Sequence, residues 1–557
     1  AVTIAAGNKY STVIGKDGNM YVFGQNNKGQ LGIGDTVERN IPIANAVIDT
    51  IKSSYNDFAI AGVSLGDEYS VFYTRNGDVY GYGDYSLGTP VARNETKSYV
   101  PVLIGERTEL ISKYEMTIHV GETATLDTYS GKKFNLITDY ANPGSISFES
   151  KNTAIADVTA VGDDGEITGN KIGITHIVVK KGNLTSVCIV HVIDKDAQTA
   201  PMISAGNSHV IALKSDGTVW TWGNNEYGQL GDGSVSCAYE PINVTALNGK
   251  DIVSVHAGEY HSIALTRDGE VYTWGHNDYG QLGLGNASIV ISTPQKVESL
   301  PEIVSISAGK QHTMVLGADG YVYSFGDNSL GQLGAHSKDT SKRSSTPVVA
   351  QGLNKVISIS IGAGGSATKA VRYDGTLWGW GENSNHQINN TNNRYYSYPV
   401  KIDLGDEFNG HILKTYDGLY HVVAMLDNGR IISWGANSEG QLGQGIDKSG
   451  SLLYYAPDYV DVFDGTNNYA VDISVGALHN LAADGRVMSW GSADLGRLGI
   501  GNVTTSDDKV SPVEVTVDDG SLSAISVATG GATSYVVLED GYVWSFGENT
   551  HGQLGDA

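Results

Sequence analysis

WGHNDYGQLGLG, residues 274–285, decides the fold, because the chain writes it again and again. WGNNEYGQLGDG stands at 222–233 and WGANSEGQLGQG at 434–445. The glycine after the aromatic recurs at Gly24, Gly83, Gly223, Gly275, Gly326, Gly381, Gly435, Gly491 and Gly547. Successive markers lie 59, 140, 52, 51, 55, 54, 56 and 56 residues apart. Seven residues before every marker stands Asp or Asn followed by glycine: Asp17, Asn76, Asp216, Asp268, Asp319, Asp374, Asn428, Asp484 and Asp540.

The Asp-Gly or Asn-Gly pair is a tight hairpin signal. On either side the residues alternate, as in HSIALTR (261–267) and EVYTW (270–274), which predicts paired strands. A proline-marked extended segment such as TPQKV (293–297) and a further strand, EIVSISAG (302–309), complete about four strands per unit. Leu230, Leu282, Leu333, Leu442, Leu498 and Leu554 are expected to plug the space between adjacent sheets. No unit can bury its faces alone, so one packing solution recurs at every interface. All eight tryptophans fall on the strand after the turn, a register that predicts core packing rather than ligand stacking.

The chain has 557 residues, 40% of them hydrophobic, with 71 glycines and 12 prolines. That composition suits turn-rich β structure and excludes collagen-like or disordered chains. No run of 18 apolar residues offers a membrane-spanning helix. The opening AVTIAAGNKYSTVIG lacks the pattern of a signal peptide. A formal net charge of −25 argues against nucleic acid as a partner. Cys188 and Cys237 fall in different modules and make no disulfide framework.

The unit resembles the regulator of chromosome condensation repeat. The matching residues are A-G-x-x-H-S-x-A-L (Ala257 to Leu265), the Asp-Gly turn, W-G-x-N and G-Q-L-G. Seven of nine units keep G-[QR]-L-G; the sixth reads HQIN (386–389) and the second LGTP (87–90). The resemblance implies an all-β chain with a β-propeller, typically seven-bladed, over residues 1–105 (repeats one and two) and 196–557 (repeats three to nine). Either seven units close a ring and two precede it, or all nine share one ring around an insert. Avoiding the open edges of a two-blade fragment favours the single ring. The ninth unit stops at GQLGDA, one strand short of the others.

Residues 106–195 read differently, as short strands (MTIHV, ATLDTY, SISFES, IADVT, GEITG, THIVVK, SVCIVHVI) that predict an inserted β-sandwich. SKNTAIADVTAVGDDGEITGNKIGITHIVV (150–179) resembles the bacterial Ig-like domain, group 2, with Phe148 where that family places an aromatic. The resemblance implies a spacer or adhesive module of bacterial surface, secreted or phage proteins, with Cys188 in its core.

A histidine recurs in the first hairpin strand: His209, His261, His312, His421 and His479, replaced elsewhere by Tyr10, Tyr69, Ala367 and Thr533. Ligands on separate blades would lie far apart, so hydrogen-bonded structural histidines are expected rather than a metal site. GDDGE (162–166) lacks the spaced donors of a calcium loop and reads as a solvated turn. No catalytic motif, cofactor motif or metal-ligand spacing emerges, which predicts a non-enzymatic protein without cofactor.

Variable loops follow each G-Q-L-G: 336–345, 389–398, 446–457 and 502–510. Two of these loops carry tyrosines in or beside them, Tyr395, Tyr396 and Tyr398, and Tyr454, Tyr455 and Tyr459, the residue type that binding surfaces favour. These six are the candidate partner-binding residues. The function expected is protein or surface-glycan binding or adhesion by a bacterial secreted, cell-surface or phage-particle protein, without membrane insertion and with room for self-association. The alternatives are a self-assembling coat or fibre subunit and an exchange-factor-like regulator of a small GTPase.

Overall fold

Where both residues of an Asp-Gly or Asn-Gly pair are described, the glycine and not its partner takes the left-handed conformation that turns the chain. In the unit holding the opening sequence, Gly269 has φ +79° while Asp268 keeps a negative φ. Gly269 N–H donates to Thr266 O and Thr266 N–H to Glu270 O. This is a type I turn with a glycine bulge, a tight hairpin turn as the pair signals. The hairpin pairs His261 with Gly275 and Leu265 with Val271. At Gly275, φ +106° and a Cβ that would stand 2.7 Å from Tyr260 O exclude any other residue.

The computed structural model describes residues 3–16, 18–48, 60–74, 79–84, 97–103, 111, 113–128, 145–181, 184–285, 288–335, 341–362 save 341, 364–373, 375–389, 391, 393–405, 408, 411–445, 455–465, 469–501, 508–518 and 520–556. Among them, eight units form four-stranded antiparallel sheets in chain order, and the last forms three strands, Ala524–Thr529, Thr533–Leu538 and Val543–Gly547. The fourth strand slips register opposite each marker glycine, as between Thr273 and Gly275, and carries its proline there. Proline suits this outer position because the missing N–H faces no further strand.

The first strands of seven sheets stand around an axis: Met202–Ala205, Ile252–Ala257, Ile303–Ala308, Val356–Ile361, Ile412–Asp417, Asp472–Val475 and Ala524–Thr529. Each touches the next, and Met202–Ala205 touches Ala524–Thr529, so the circle closes. Trp222 Nε1 seals it by donating to Gln553 O at 2.8 Å. The single nine-unit ring favoured by the open-edge argument is therefore corrected. Seven wedges already fill the circle, and the first two units pack on each other around Tyr10, Met20, Phe72 and Tyr82. The plug residues Leu230, Leu282, Leu333, Leu442 and Leu498 are buried between sheets.

Between the two sets lies a sandwich. A three-stranded sheet faces a four-stranded one that includes Gly173–Lys181 and Leu184–Ile193. Ile118, Leu126, Ile167, Ile177, Val179, Cys188 and Val190 fill its core, and burial pushes the Cys188 thiol up to about 12. Gly173–Lys181 reads GITHIVVKK, apolar on both faces. Ile177 and Val179 point into the sandwich, while Ile174 and Val178 pack with Val187 and Ile189 against Leu413, Val423, Met425 and Ile473 of the ring. A strand with two apolar faces needs two neighbours, and the ring is the second. The Lys171 ammonium lies 2.8 Å from the Glu539 carboxylate, and the His176 ring meets Tyr469 edge-on at 4.7 Å. Glu539 and Tyr469 belong to the hairpin turns and inter-blade links, so the sandwich covers that face of the ring and its end of the channel.

Candidate functional site

The five repeated histidines are structural. Each lies within its blade under a loop glycine and reaches the neighbouring blade. Nε2 stands 3.0 Å from Ser262 Oγ for His209, 2.8 Å from Thr313 Oγ1 for His261 and 3.2 Å from Thr368 Oγ1 for His312. His421 meets Asn480 Oδ1 at 2.8 Å and His479 meets Ser534 Oγ at 2.9 Å. Those partners spend their own protons on a backbone carbonyl, for instance Ser262 on Gln229 O and Thr313 on Gln281 O. They can therefore only accept from histidine, which fixes the proton on Nε2 in all five. The same carbonyls accept an indole N–H, as Trp274 Nε1 on Gln229 O at 2.9 Å. Trp222, Trp274, Trp380, Trp434 and Trp490 are buried in this way, as the register predicts, whereas Trp220 and Trp378 are half-buried and Trp544 is exposed.

Where the sixth unit has Ala367 in place of histidine, an ion pair does the joining. Lys369 and Asp417, both fully enclosed, bond across the interface, and Ser360 Oγ donates to the same carboxylate. Burying two charges costs several kcal/mol, offset here by their contact and the extra hydrogen bond. The repeat pattern showed the missing histidine but not its replacement.

The channel opens on the face opposite the sandwich. Asn207, Glu259, Lys310, Leu419, Tyr420 and Ala477, from the loops of five blades, border a mouth of about 170 Å³. Behind them the loop glycines form a belt. A Cβ on Gly258 would stand 2.6 Å from Gly309 O, so the next blade's carbonyl takes the place of a side chain. Beside the mouth, Tyr227 stacks near Tyr260 (5.3 Å) and His276 (4.5 Å), with Tyr279 at 6.5 Å from His276. Burial holds the Glu259 carboxyl above its usual range, with the Lys310 charge opposing. Glu226, Asp278, Glu439, Asp494 and Glu548 on the surrounding corners make this rim acidic. One corner departs from the rest. Arg497 stands where other units have the glutamine that accepts a backbone N–H, and Leu495 beside it adopts φ +58° and is 61% exposed.

The tyrosines expected to bind a partner do not gather on this face. Tyr395, Tyr396 and Tyr398 lie on the fourth strand of their blade, Tyr395–Lys401, at the rim. Tyr395 and Tyr398 are exposed, while Tyr396 Oη is tied to Asn389 Oδ1 at 2.7 Å. Tyr459 sits on Tyr455–Asp464 of the next blade, 5.2 Å from Phe408 and under the Arg430 guanidinium. Tyr454, the Tyr455 side chain, LGTP (87–90) and most of the loops 336–345, 446–457 and 502–510 lie outside the described residues. The 162–166 segment is a hairpin turn in which Thr128 N–H donates to Asp164 Oδ1 at 2.7 Å. Sequence reasoning missed the mouth because its residues are neither a motif nor tyrosine-rich loops. Their signal was the two positions after each A-G, which change from unit to unit.

The RCC1-like domain family matches residues 157–526, and regulator of chromosome condensation (RCC1) repeats match 17–73, 1–30 and 524–553. The ultraviolet-B receptor UVR8 of Arabidopsis thaliana is 33% identical over 65% of this chain and 80% of its own length. The human E3 ubiquitin-protein ligase HERC2 is 30% identical over 64% of this chain, which spans only 7% of that protein. Yeast RCC1 (Prp20), solved bound to Kap60, superimposes with a TM-score of 0.52 at 24% identity, covering 63% of this chain and 81% of that one. These relatives overturn the expected adhesion module of a bacterial surface, secreted or phage-particle protein, since they are a plant receptor and a mammalian ligase. The expectation of a non-enzymatic protein is corrected too, because a relative is a ligase by name, though this chain matches a small part of it. The chain belongs to the RCC1-like domain family of β-propellers.

Proposed function

We propose that the chain binds a protein partner on the open face of its seven-blade ring and acts as an exchange-factor-like regulator of a small GTPase. One observation carries the reading. The sandwich covers one face, and the other presents loops whose frame is constant and whose side chains differ blade by blade. Such a frame with variable tips is how a rigid scaffold carries recognition. Tyr227, Tyr260 and Tyr420 supply contact area with few rotatable bonds. Glu226, Asp278 and Glu439 would steer a partner with a basic patch, a preference the formal charge of −25 reinforces.

Release of a fluorescent guanine nucleotide from a panel of purified small GTPases tests this. Acceleration of release for one of them is expected, weakened by added salt and by Tyr260→Ala or Glu259→Lys. No binding and no acceleration for any GTPase at low salt would reject the proposal. The exposed Tyr395 and Tyr398 favour a second contact at the rim, with protein, glycan or another copy. Light scattering and a glycan array on a Tyr395→Ser, Tyr398→Ser variant would test it; unchanged results for both would reject that contact.

A further inference from the structure

The seam between sandwich and ring holds one polar side chain that packing does not explain. Side chains alternate along a strand, so Ile174, His176 and Val178 of Gly173–Lys181 share the face turned to the ring. The His176 imidazole is wholly enclosed and meets the Tyr469 ring of the ring domain. Neither of its nitrogens has a hydrogen-bond partner among the described residues. A buried polar group left unmatched is destabilising, and an apolar residue of similar size would avoid that. Beside it the seam offers only Val187, Ile189, Leu413, Val423, Met425 and Ile473.

The charged neighbours divide by side. On the sandwich, Glu115 stands 2.8 Å from His191 Nε2, and Lys151 bonds Glu149 at 2.9 Å. Both pairs lie within the sandwich and move with it. On the ring, Tyr469 Oη donates to Asp427 O at 3.3 Å, and Asp472 accepts Ile473 N–H and Val527 N–H. Lys414 of the ring stands across from Glu115 and favours its charge. Burial holds His176 down to about 3; His191 adds to this, Glu115 opposes it and Lys151 adds again.

We infer that this seam is an acid-released latch: with His176 neutral the sandwich stays seated, and a proton on His176 unseats it and bares the covered face of the ring. The device does not depend on what the open face binds. Seated, the imidazole stays neutral down to about pH 3; unseated and solvated, it takes a proton below about 6.5. Seating is therefore strongest above pH 6.5 and weakens as the pH falls towards 3. Between pH 7.5 and 5 the equilibrium should move about thirtyfold towards the unseated form. Burial pushes the Asp472 carboxyl up, which works against release in acid. Replacing His176 alone leaves that contribution in place and so isolates the latch.

Thiol accessibility in the full chain is the test. In a Cys237→Ser background, Val178→Cys places a small side chain in the seam, while Cys188 reports on the sandwich core. Alkylation rates at pH 7.5 and 5 are read by peptide mass spectrometry, each divided by the rate of the same thiol in an unfolded peptide. The thiol at 178 should react about thirtyfold faster at pH 5, with Cys188 and the ring's tryptophan fluorescence unchanged. His176→Phe keeps an aromatic ring against Tyr469 and should abolish most of that rise. Should it fail to fold by circular dichroism, His176→Asn takes its place. No rise at 178, a rise shared by Cys188 or accompanied by loss of ring fluorescence, or an equal rise in the folded His176 variant would overturn the inference.

Discussion

Replacing His312 by glutamine should change how the ring responds to acid. His312 is wholly buried, and among the described residues Nε2–H makes its side chain's one hydrogen bond, to Thr368 Oγ1. Burial holds its pKa down to about 3, against about 6.5 for an unfolded histidine. The folded ring keeps it neutral, while the unfolded chain takes up a proton below pH 6.5. Stability from this site is therefore complete above about pH 6.5, falls as the pH drops, and levels off near pH 3. At pH 5 the loss is about 1.5 pH units, or about 2 kcal/mol. Four further histidines are depressed by the same burial, so acid should draw on an amount comparable to the 5–15 kcal/mol that holds roughly any domain folded. Glutamine places an amide N–H near the Nε2 position but does not titrate. In urea unfolding followed by tryptophan fluorescence, His312→Gln should lose stability against the parent at pH 7.5. At pH 5 the difference should move by about 2 kcal/mol in the variant's favour. An identical difference at both pH values would refute the buried, neutral assignment.

The other tests are shorter. Gly275→Ala, with φ +106° and a backbone oxygen 2.7 Å from the new Cβ, should lower the melting temperature well beyond Gly249→Ala, whose Cβ meets nothing within 4 Å. Asp417→Ala leaves the Lys369 ammonium buried and unpaired, a loss of about 3–5 kcal/mol in urea unfolding. Lys369→Met with Asp417→Leu should recover most of that. Val187→Asp puts a charge into the seam between sandwich and ring. Trypsin should then release the sandwich while the ring keeps its tryptophan fluorescence; equal protease resistance would contradict the seam.

The repeat was legible because its signals are local. Asp-Gly at a fixed seven residues from W-G sets a hairpin whatever surrounds it, and the leucine plug follows from the same register. The pair alone did not specify the turn type, since the hydrogen bond from Gly269 to Thr266 depends on residues outside it. Ring closure was hidden because it depends on how many wedges fill a circle. The bond from Trp222 to Gln553 joins residues 331 apart. The histidine partners were written in the sequence, as the residue after the next unit's histidine position: Ser262, Thr313, Thr368, Asn480 and Ser534. The seat of the sandwich left one unused sign, the stretch ITHIVV (174–179), which places isoleucine or valine on both faces of its strand. The open mouth left almost none, because its side chains come from five blades and share no type.

Zero-length carbodiimide cross-linking with peptide mass spectrometry tests the central arrangement most directly. Lys171 of the sandwich and Glu539 of the last blade, 2.8 Å apart, should join, alongside the intra-blade control Lys296–Glu270 at 2.7 Å. Recovery of the control without any 171–539 product would contradict a sandwich seated on the ring, and with it the argument that one face alone is left for a partner.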